Sequence, residues 1–272
     1  MVAGLRISRE HAEHIRGVLS GRVAPARARD AATVALFRAA RGGGIQVYLL
    51  RRKSTMAFAA GAYVFPGGSV DPRDTDHAVA WAGPSPAEWG RVFDADESVA
   101  RGLVCAAVRE TFEESGVLLA GPGPDSVVAD TRGDDWEADR LALIDRSLGF
   151  ADFLGKRGLV LRSDLLKPWA HWITPEAEER RFDTRFFVAV LPEGQRTRDV
   201  GGEADRVEWR APAEALAMGD RGEIFLMPPT YRVLSDLARH DSVESVLAEK
   251  REIVTVVPRI VEVDGEFRVE PA

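Results

Sequence analysis

Cysteine is almost absent from this 272-residue sequence, and the chain contains no long apolar run. The single cysteine, Cys105, excludes a disulfide framework within the chain and fits a reducing compartment. It lies in the apolar run LVCAAV, where a buried structural thiol is expected rather than a nucleophile. No stretch is apolar enough for a signal peptide or a membrane span. We therefore expect a cytoplasmic protein that makes no use of a membrane.

Excess positive charge is also lacking, because 43 acidic residues outnumber 36 Lys and Arg and give a formal charge of −7. This charge argues against binding nucleic acid through the overall field of the protein. It leaves room for an anionic substrate that a metal ion holds locally. The five histidines are scattered without the spacing of a zinc site, and no catalytic triad order, P-loop or dinucleotide fingerprint is visible.

Strand-like and helix-like segments alternate along the whole chain without a clean linker, which predicts one α/β domain over residues 1–272. The predicted strands cover residues 32–37, 45–52, 62–68, 168–174, 185–192 and 206–212, and a final hairpin spans 259–271. The predicted helices cover residues 8–19, 86–92, 94–116, 133–166, 212–219 and 228–240. In the third helix we expect Asp94 and Glu97 to form a capping box and Gly116 to end the helix.

The segment RETFEESGV, residues 109–117, places three carboxylates close together in sequence. In a helix Glu110, Glu113 and Glu114 lie on one face, where like charges repel by roughly 0.2–0.5 kcal/mol per exposed pair. They also precede Gly116, so they stand at the end of the helix where the macrodipole disfavours negative charge. A solvated acidic surface is the simple alternative interpretation, because acidic helical faces are common.

A glycine-rich loop, FPGGSVD, ends the strand that precedes this helix. Its Gly67 and Gly68 allow backbone to approach phosphates and a metal closely, although a simple strand-ending turn explains them equally well. Clustered carboxylates beside such a loop suit a hard divalent cation such as Mg²⁺ or Mn²⁺, with phosphate oxygens and water as further ligands. The cation would offset the repulsion and tether a diphosphate.

These residues resemble the Nudix box, G-x5-E-x7-R-E-U-x-E-E-x-G-U, in which U is bulky and aliphatic. Arg109, Glu110, Glu113, Glu114, Gly116 and Val117 match its second half. Gly68 matches its start, and Asp74 stands where the box has its first glutamate. Residues 75–108 take the place of the seven residues that the box allows, and Arg101 is expected on the helix surface. The resemblance implies a Nudix-type α/β/α sandwich with a mixed sheet and helical insertions, at about 75–96 and 121–166.

Over about residues 30–240, the sequence is similar to the mitochondrial and peroxisomal coenzyme A diphosphatase branch of the superfamily. The similarity lies in the split box and in two later segments, PWAHWITPEAEERRFDTRFF and IFLMPPTYRVLSDLA. This resemblance implies hydrolysis of coenzyme A or acyl-coenzyme A to 3′,5′-ADP and (acyl-)phosphopantetheine. Two alternatives stay open: a pyrophosphatase for ADP-ribose, NADH or dinucleoside polyphosphates, and an inactive Nudix-fold binding or regulatory module. The expected partner is a small nucleoside diphosphate compound, and a homodimer is left open.

The resemblance also implies roles for individual residues. Glu110, Glu113 and Glu114 are the expected metal ligands, and Arg109 is expected to orient a box glutamate through an ion pair. Glu203, in a Gly-rich loop before a late strand, or Glu110 is the candidate general base. Asp71 or Asp74 could hold an outer-sphere water. Guanidinium groups fit phosphate oxygens, which makes candidates of Arg51, Arg52, Arg180, Arg181 and Arg185.

Overall fold

The computed structural model describes residues 8–55, 59–198, 204–263 and 265–270. Within them the helices are α1 (Arg9–Leu19), α2 (Pro86–Phe93), α3 (Glu97–Ser115), α4 (Asp134–Ile144), α5 (Phe150–Lys156), α6 (Pro212–Asp220), α7 (Pro228–Leu237) and α8 (Val243–Ala248). Short 3-10 helices cover Pro72–Thr75 and Ser163–Leu165. None of these helices is both long and apolar enough to cross a membrane.

The strands in the described residues are β1 (Arg29–Ala39), β2 (Ile45–Arg52), β3 (Ala62–Val64), β4 (Gly67–Ser69), β5 (Trp81–Ala82), β6 (Ala120–Gly121), β7 (Val160–Arg162), β8 (Lys167–Ile173), β9 (Phe182–Val190), β10 (Ala204–Arg210), β11 (Phe225–Leu226), β12 (Thr255–Val256), β13 (Arg259–Val263) and β14 (Glu266–Glu270). The main sheet has the order β11-β3-β2-β1-β9-β8-β12, with β10 paired to β2 and β4 paired to β1. Strand β1 is antiparallel to β2 and β4 but parallel to β9, so the predicted mixed sheet is confirmed.

Side chains of β1 alternate between two hydrophobic cores, one on each face of the sheet. Leu36 packs with Val104 of α3 in the first core. Phe37 packs with Leu234 of α7 in the second. Helices α2, α3 and α5 therefore cover one face and α6, α7 and α8 the other, which is the α/β/α sandwich that was expected.

The two insertions build one small sheet together. Strand β5 of the first insertion runs parallel to β7 of the second, and β6 pairs with β7 from the other side. The Ser163 hydroxyl donates to the carbonyls of Ala82 and Pro84, at 2.9 and 2.8 Å. The two inserted segments thus form hydrogen bonds to each other that neither segment could form alone.

A third, smaller core joins the two ends of the described chain. Ile15 of α1 and Ile260 of β13 are buried with Ala177, and Phe267 of β14 packs against them. The Arg16 guanidinium reinforces this contact, since it donates to the Glu262 carboxylate at 2.6–3.1 Å. The predicted terminal hairpin is confirmed by the pairing of β13 with β14, and its position beside α1 was not foreseen.

Two expectations about the start of the third helix were wrong. Asp94 does not cap α3: it is the left-handed residue that ends α2, with φ 48°, and Asp96 precedes α3 without a side-chain cap. Arg101 is buried, with 8% of its surface exposed, because the first insertion places the Trp81 ring against it. The ring centroid lies 5.4 Å from Cζ of Arg101. An insertion that packs on its own helix converts a predicted surface residue into a buried one.

Candidate active site

The carboxylate-bearing end of α3 is held in place by its burial and by its termination. The helix ends at Gly116, whose φ of 73° is the left-handed conformation that glycine adopts without strain. Thr111, which stands where the box has an aliphatic residue, is fully buried and donates its hydroxyl to the Ala107 carbonyl at 2.7 Å. Cys105 is a buried free thiol whose pKa is raised by burial, so it is inert as expected.

Strand β4 lies directly against this end of the helix. The backbone N–H of Gly67 donates to the Glu114 carboxylate at 2.9 Å. A Cβ atom at Gly68 would lie 2.4 Å from Oε1 of Glu110, so only glycine fits there while the carboxylate keeps its position. The expected proximity of the glycine loop and the carboxylates is therefore confirmed, and the insertion interrupts the sequence of the box but leaves its geometry intact.

Arg109 connects the two halves of the box. Its Nε and Nη2 donate to the Asp74 carboxylate at 3.0 and 2.9 Å, and Nη2 also reaches the Ser69 carbonyl at 3.1 Å. Its Nη1 donates to Glu110 at 2.8 Å and to Glu113 at 3.1 Å. The expected ion pair of Arg109 with the box glutamates is present. It orients Glu110 and Glu113 by charge-assisted hydrogen bonds.

Asp74 has a structural role in this arrangement. Its side chain is 1% exposed, and besides Arg109 it accepts the backbone N–H of Asp71 at 2.8 Å. Because both carboxylate oxygens already have donors and almost no solvent reaches them, Asp71, which lines the cleft, is the better placed of the two candidates for an outer-sphere water. Asp74 acts at the box position by fixing Arg109.

Burial of the acidic cluster makes its charges costly. Burial, with the neighbouring charges of Glu113 and Asp74, raises the pKa of Glu110 to about 7, although Arg109 opposes the shift. Burial likewise raises the pKa of Glu113 against the pull of Arg109. The same carboxylates raise the pKa of Arg109, although burial lowers it. Arg109 is one positive charge among several carboxylates, so repulsion between the carboxylates remains. A bound cation would remove it.

The donor set fits a hard divalent cation. Three carboxylates and the carbonyls of a glycine strand provide oxygen ligands, which Mg²⁺ and Mn²⁺ prefer. In the described residues, no three acidic, histidine or cysteine side chains already converge on one point. Glu110 and Glu113 turn toward Arg109 and Glu114 turns toward Gly67. Binding a cation therefore requires rotation of these side chains about the positions that α3 gives them.

One residue that supports the site was missed by the sequence interpretation. Arg140 of α4, only 1% exposed, donates to the Glu113 carbonyl at 2.7 Å. Its other nitrogens hold Glu137 at 2.9 and 2.7 Å. A positive charge at the C-terminal end of α3 offsets the negative pole of the helix, where the carboxylates stand. The three-residue spacing of Glu137 and Arg140 is visible in the sequence, but the contact of Arg140 with the end of α3 is not.

The predicted phosphate-binding arginines divide into two groups. Arg52 and Arg180 line the same large cleft as the carboxylates. Arg51 instead pairs with Asp205 at 2.6 Å, and Arg181 donates to the carbonyls of Ala26 and Thr174 at 2.7 and 3.1 Å. These two side chains are occupied in holding strands together, which corrects the prediction for them.

Two predicted site residues remain, the arginine Arg185 and the candidate base Glu203. Arg185 is buried between Asp183 and Asp30, so it is also a structural residue. Glu203 lies outside the described residues, and its role stays a prediction.

A cleft of about 2090 Å³ runs from the carboxylates to the terminal core. Glu110, Glu113, Glu114, Gly67 and Gly68 line one part of it. Arg29, Arg180 and residues of α1 and β14 line another part. Its size accommodates a ligand larger than a simple nucleotide.

The sandwich with this split box and glycine strand defines the chain as a protein with a Nudix domain. A crystal structure described as a NUDIX hydrolase from Alicyclobacillus acidocaldarius is similar to it, with a TM-score of 0.72 and 28% sequence identity, over 83% of this chain and 98% of that chain. The family model described as the NUDT19 Nudix domain matches residues 94–237, more than half of the chain, and the chain belongs to this family.

Curated relatives carry the name acyl-coenzyme A diphosphatase NUDT19. The Xenopus laevis protein is 27% identical over 235 residues, which cover 71% of this chain and 59% of the relative. The Homo sapiens protein is 28% identical over 239 residues, which cover 75% of this chain and 63% of the relative. The chain thus spans about three fifths of the length of the relatives it matches.

Proposed function

We propose that the chain hydrolyses the diphosphate of coenzyme A or acyl-coenzyme A with the help of Mg²⁺ or Mn²⁺. The products are 3′,5′-ADP and (acyl-)phosphopantetheine. The observation that carries this proposal is the contact of the α3 carboxylates with the β4 glycines at the wall of a large cleft. The relatives named acyl-coenzyme A diphosphatase support the choice of substrate.

Glu110, Glu113 and Glu114 would hold the cation, and the backbone of β4 would face the diphosphate. A bound divalent cation neutralises phosphate charge and aligns the attacked phosphorus. Arg109 holds Glu110 and Glu113 beside this space by charge-assisted hydrogen bonds, and both carboxylates would turn from it to bind the cation. Arg52 lines the same cleft, and its guanidinium group would be the candidate contact for a phosphate oxygen.

The reaction adds one water across the phosphorus–oxygen–phosphorus bridge. The water oxygen bonds to one phosphorus, the bridging bond to that phosphorus breaks, and the bridging oxygen leaves with the other phosphate. A general base takes the water proton. Glu110 qualifies because its carboxylate lines the cleft beside the glycine strand, where the attacked diphosphate is expected. Glu203 is the second candidate.

A substrate panel tests the proposal. Coenzyme A, acetyl-coenzyme A, ADP-ribose, NADH and diadenosine tetraphosphate are compared in kcat/KM, with Mg²⁺, with Mn²⁺ and with a chelator. We expect coenzyme A or its acetyl ester to exceed ADP-ribose, with the 3′-phosphate retained in the nucleotide product and no turnover with chelator. A tenfold advantage for ADP-ribose or the dinucleoside polyphosphate would overturn the substrate. A protein that binds these compounds without turnover would be a binding module.

The two candidate bases are distinguished by Glu110→Gln and Glu203→Gln. The variant that removes the base should lower kcat by about 10²–10⁴ with little change in KM, and it should do so for every accepted diphosphate. Because Glu110 is also an expected metal ligand, its variant should in addition require more Mg²⁺. The Glu203 variant should keep the wild-type Mg²⁺ dependence.

Three further predictions stay proposals: a cytoplasmic location, no binding of nucleic acid, and a homodimer. Light scattering of the purified chain measures its mass in solution, and fluorescence anisotropy with labelled RNA and DNA measures nucleic-acid binding.

A further inference from the structure

Two arginines that line the cleft have no side-chain partner among the residues that the structure describes. Arg29 is the first residue of β1, and Arg180 precedes β9 by two residues. Strands β1 and β9 are parallel, with Arg29 opposite Phe182. The backbone N–H of Arg29 donates to the Arg181 carbonyl at 2.9 Å. Both arginines therefore start neighbouring strands on the same side of the molecule, and both are exposed.

Two acidic side chains close to them in sequence already have partners. Asp30 lies 3.4 Å from Arg185, and Glu178 lies 3.4 Å from His11. Arg181, whose carbonyl accepts the backbone N–H of Arg29, has its side chain folded back onto carbonyls of the chain. Arg29 and Arg180 thus present positive charge to the cleft, whereas the arginines next to them are used within the fold.

Their distance from the glycine strand suits a second anionic group of one substrate. Ala32, three residues after Arg29, pairs with Gly68, so about 10 Å of strand separates Arg29 from the position opposite Gly68. Ala31 and Thr33, which alternate with Ala32, line the cleft along this path with their β9 partners Thr184 and Phe186. The small side chains of Ala31, Thr33 and Thr184 leave room for a sugar between the two positions, beside the ring of Phe186.

The geometry points to Arg29 and Arg180 as a subsite for a phosphomonoester on the ribose of the nucleotide half, the 3′-phosphate of coenzyme A. The assignment rests on the proposed function and adds the feature that distinguishes this substrate from ADP-ribose and NADH. Arginine suits the role because its planar group forms paired hydrogen bonds to phosphate oxygens. The exposed position lets the charges stay solvated until the phosphate arrives, which costs little in the free protein.

The kinetic test compares coenzyme A with 3′-dephospho-coenzyme A, which differ only in this phosphate. We expect the wild type to favour coenzyme A by at least about tenfold in kcat/KM, since hydrogen bonds to charged groups are worth about 1.5–3 kcal/mol. Arg29→Gln and Arg180→Gln should each reduce the preference, and the double variant should bring it close to one. Turnover of dephospho-coenzyme A should not change.

Arg27→Gln is the matched control, because Arg27 is exposed and precedes Arg29 by two residues but does not line the cleft. It removes the same net charge and should keep the wild-type preference. Equal kcat/KM values for the two substrates in the wild type would overturn the subsite while leaving the diphosphatase proposal intact. A preference that survives in the double variant would do the same.

A binding measurement separates the subsite from catalysis. Calorimetry without metal compares adenosine 3′,5′-bisphosphate with 5′-AMP on the wild type and the double variant. We expect the wild type to bind the bisphosphate at least about tenfold more tightly, and the variant to bind both alike. This result would support the subsite even if no coenzyme A compound were hydrolysed. Equal wild-type affinities would overturn it whatever the activity.

Discussion

At the carboxylate part of the cleft, Arg109 is held by Asp74, Glu110 and Glu113, whereas at the strand starts Arg29 and Arg180 have no side-chain partner among the described residues. Exposure accounts for the difference. Only 11% of the Arg109 side chain is exposed, and a buried charge without a partner would cost several kcal/mol. Exposed arginines remain solvated by water and can be left for a ligand. Buried charge here organises the site, and exposed charge is available for recognition.

The largest effect is expected from Glu113→Gln or Glu114→Gln. Each change keeps the shape of the side chain but removes a hard anionic ligand, so kcat at limiting Mg²⁺ should fall by about 100-fold or more. Steady-state kinetics across a Mg²⁺ titration measures it. Glu97→Gln, in the exposed first turn of the same helix, is the control and should leave kcat unchanged. Full turnover by Glu114→Gln at limiting Mg²⁺ would exclude the metal site.

Asp74→Asn tests how much the buried ion pair with Arg109 contributes to the stability of the fold. The change removes the charge that holds Arg109, and we expect the free energy of unfolding to fall by about 3 kcal/mol in urea denaturation. Asp205→Asn is the matched control, because its pair with Arg51 is 35–41% exposed and should contribute no more than about 1 kcal/mol. Similar losses in the two variants would show that burial does not distinguish these ion pairs.

Gly68→Ala should displace a carboxylate without unfolding the protein. The added Cβ would meet Oε1 of Glu110 at 2.4 Å, and this flexible side chain would turn away. Misplacement on this scale is expected to lower kcat by about 10- to 100-fold, with a small change in Tm. Gly155→Ala in α5, where no atom lies within 4 Å of the added Cβ, should keep kcat and raise stability slightly. Wild-type kcat in Gly68→Ala would contradict the close approach.

The smallest expected effect is a pH dependence of stability in the metal-free protein. The pKa of Glu110 rises from 4.5 to about 7 on folding because of burial, so the folded state binds more protons than the unfolded state in this range. Its contribution to stability is full below pH 4.5 and is lost as the pH rises through 7. We expect the Tm to fall by a few degrees more in the wild type than in Glu110→Gln between pH 5 and 7.5.

Saturating Mg²⁺ provides the control for this pH series. A cation that binds the ionised carboxylates should reduce the loss of Tm at high pH. Identical pH profiles of the metal-free wild type and Glu110→Gln would contradict the raised pKa.

Local patterns determined much of the fold before any tertiary contact was known. Periodicity and the glycine stop predicted α3, and its end at Gly116 is confirmed. Alternation and turn residues predicted strands over residues 32–37 and 45–52, and the structure pairs them as antiparallel neighbours, β1 and β2. The resemblance to the box predicted that the glycine loop and the α3 carboxylates come together, although 34 residues stand where the box has seven. Backbone preference and one-face spacing act over a few residues, so one sequence suffices to see them.

The sequence by itself determined which residues are proposed to carry the chemistry, namely the three glutamates, Arg109 and the glycine strand. Only the tertiary structure decided how the other charges are used. It buried Arg101 under Trp81, set Arg140 on the Glu113 carbonyl, and gave Arg51 and Arg181 internal partners. It left Arg29 and Arg180 facing the cleft. The local sequence does not distinguish these arginines from one another. The role of each depends on which carboxylate, carbonyl or aromatic ring, distant in sequence, the fold brings close to its guanidinium group.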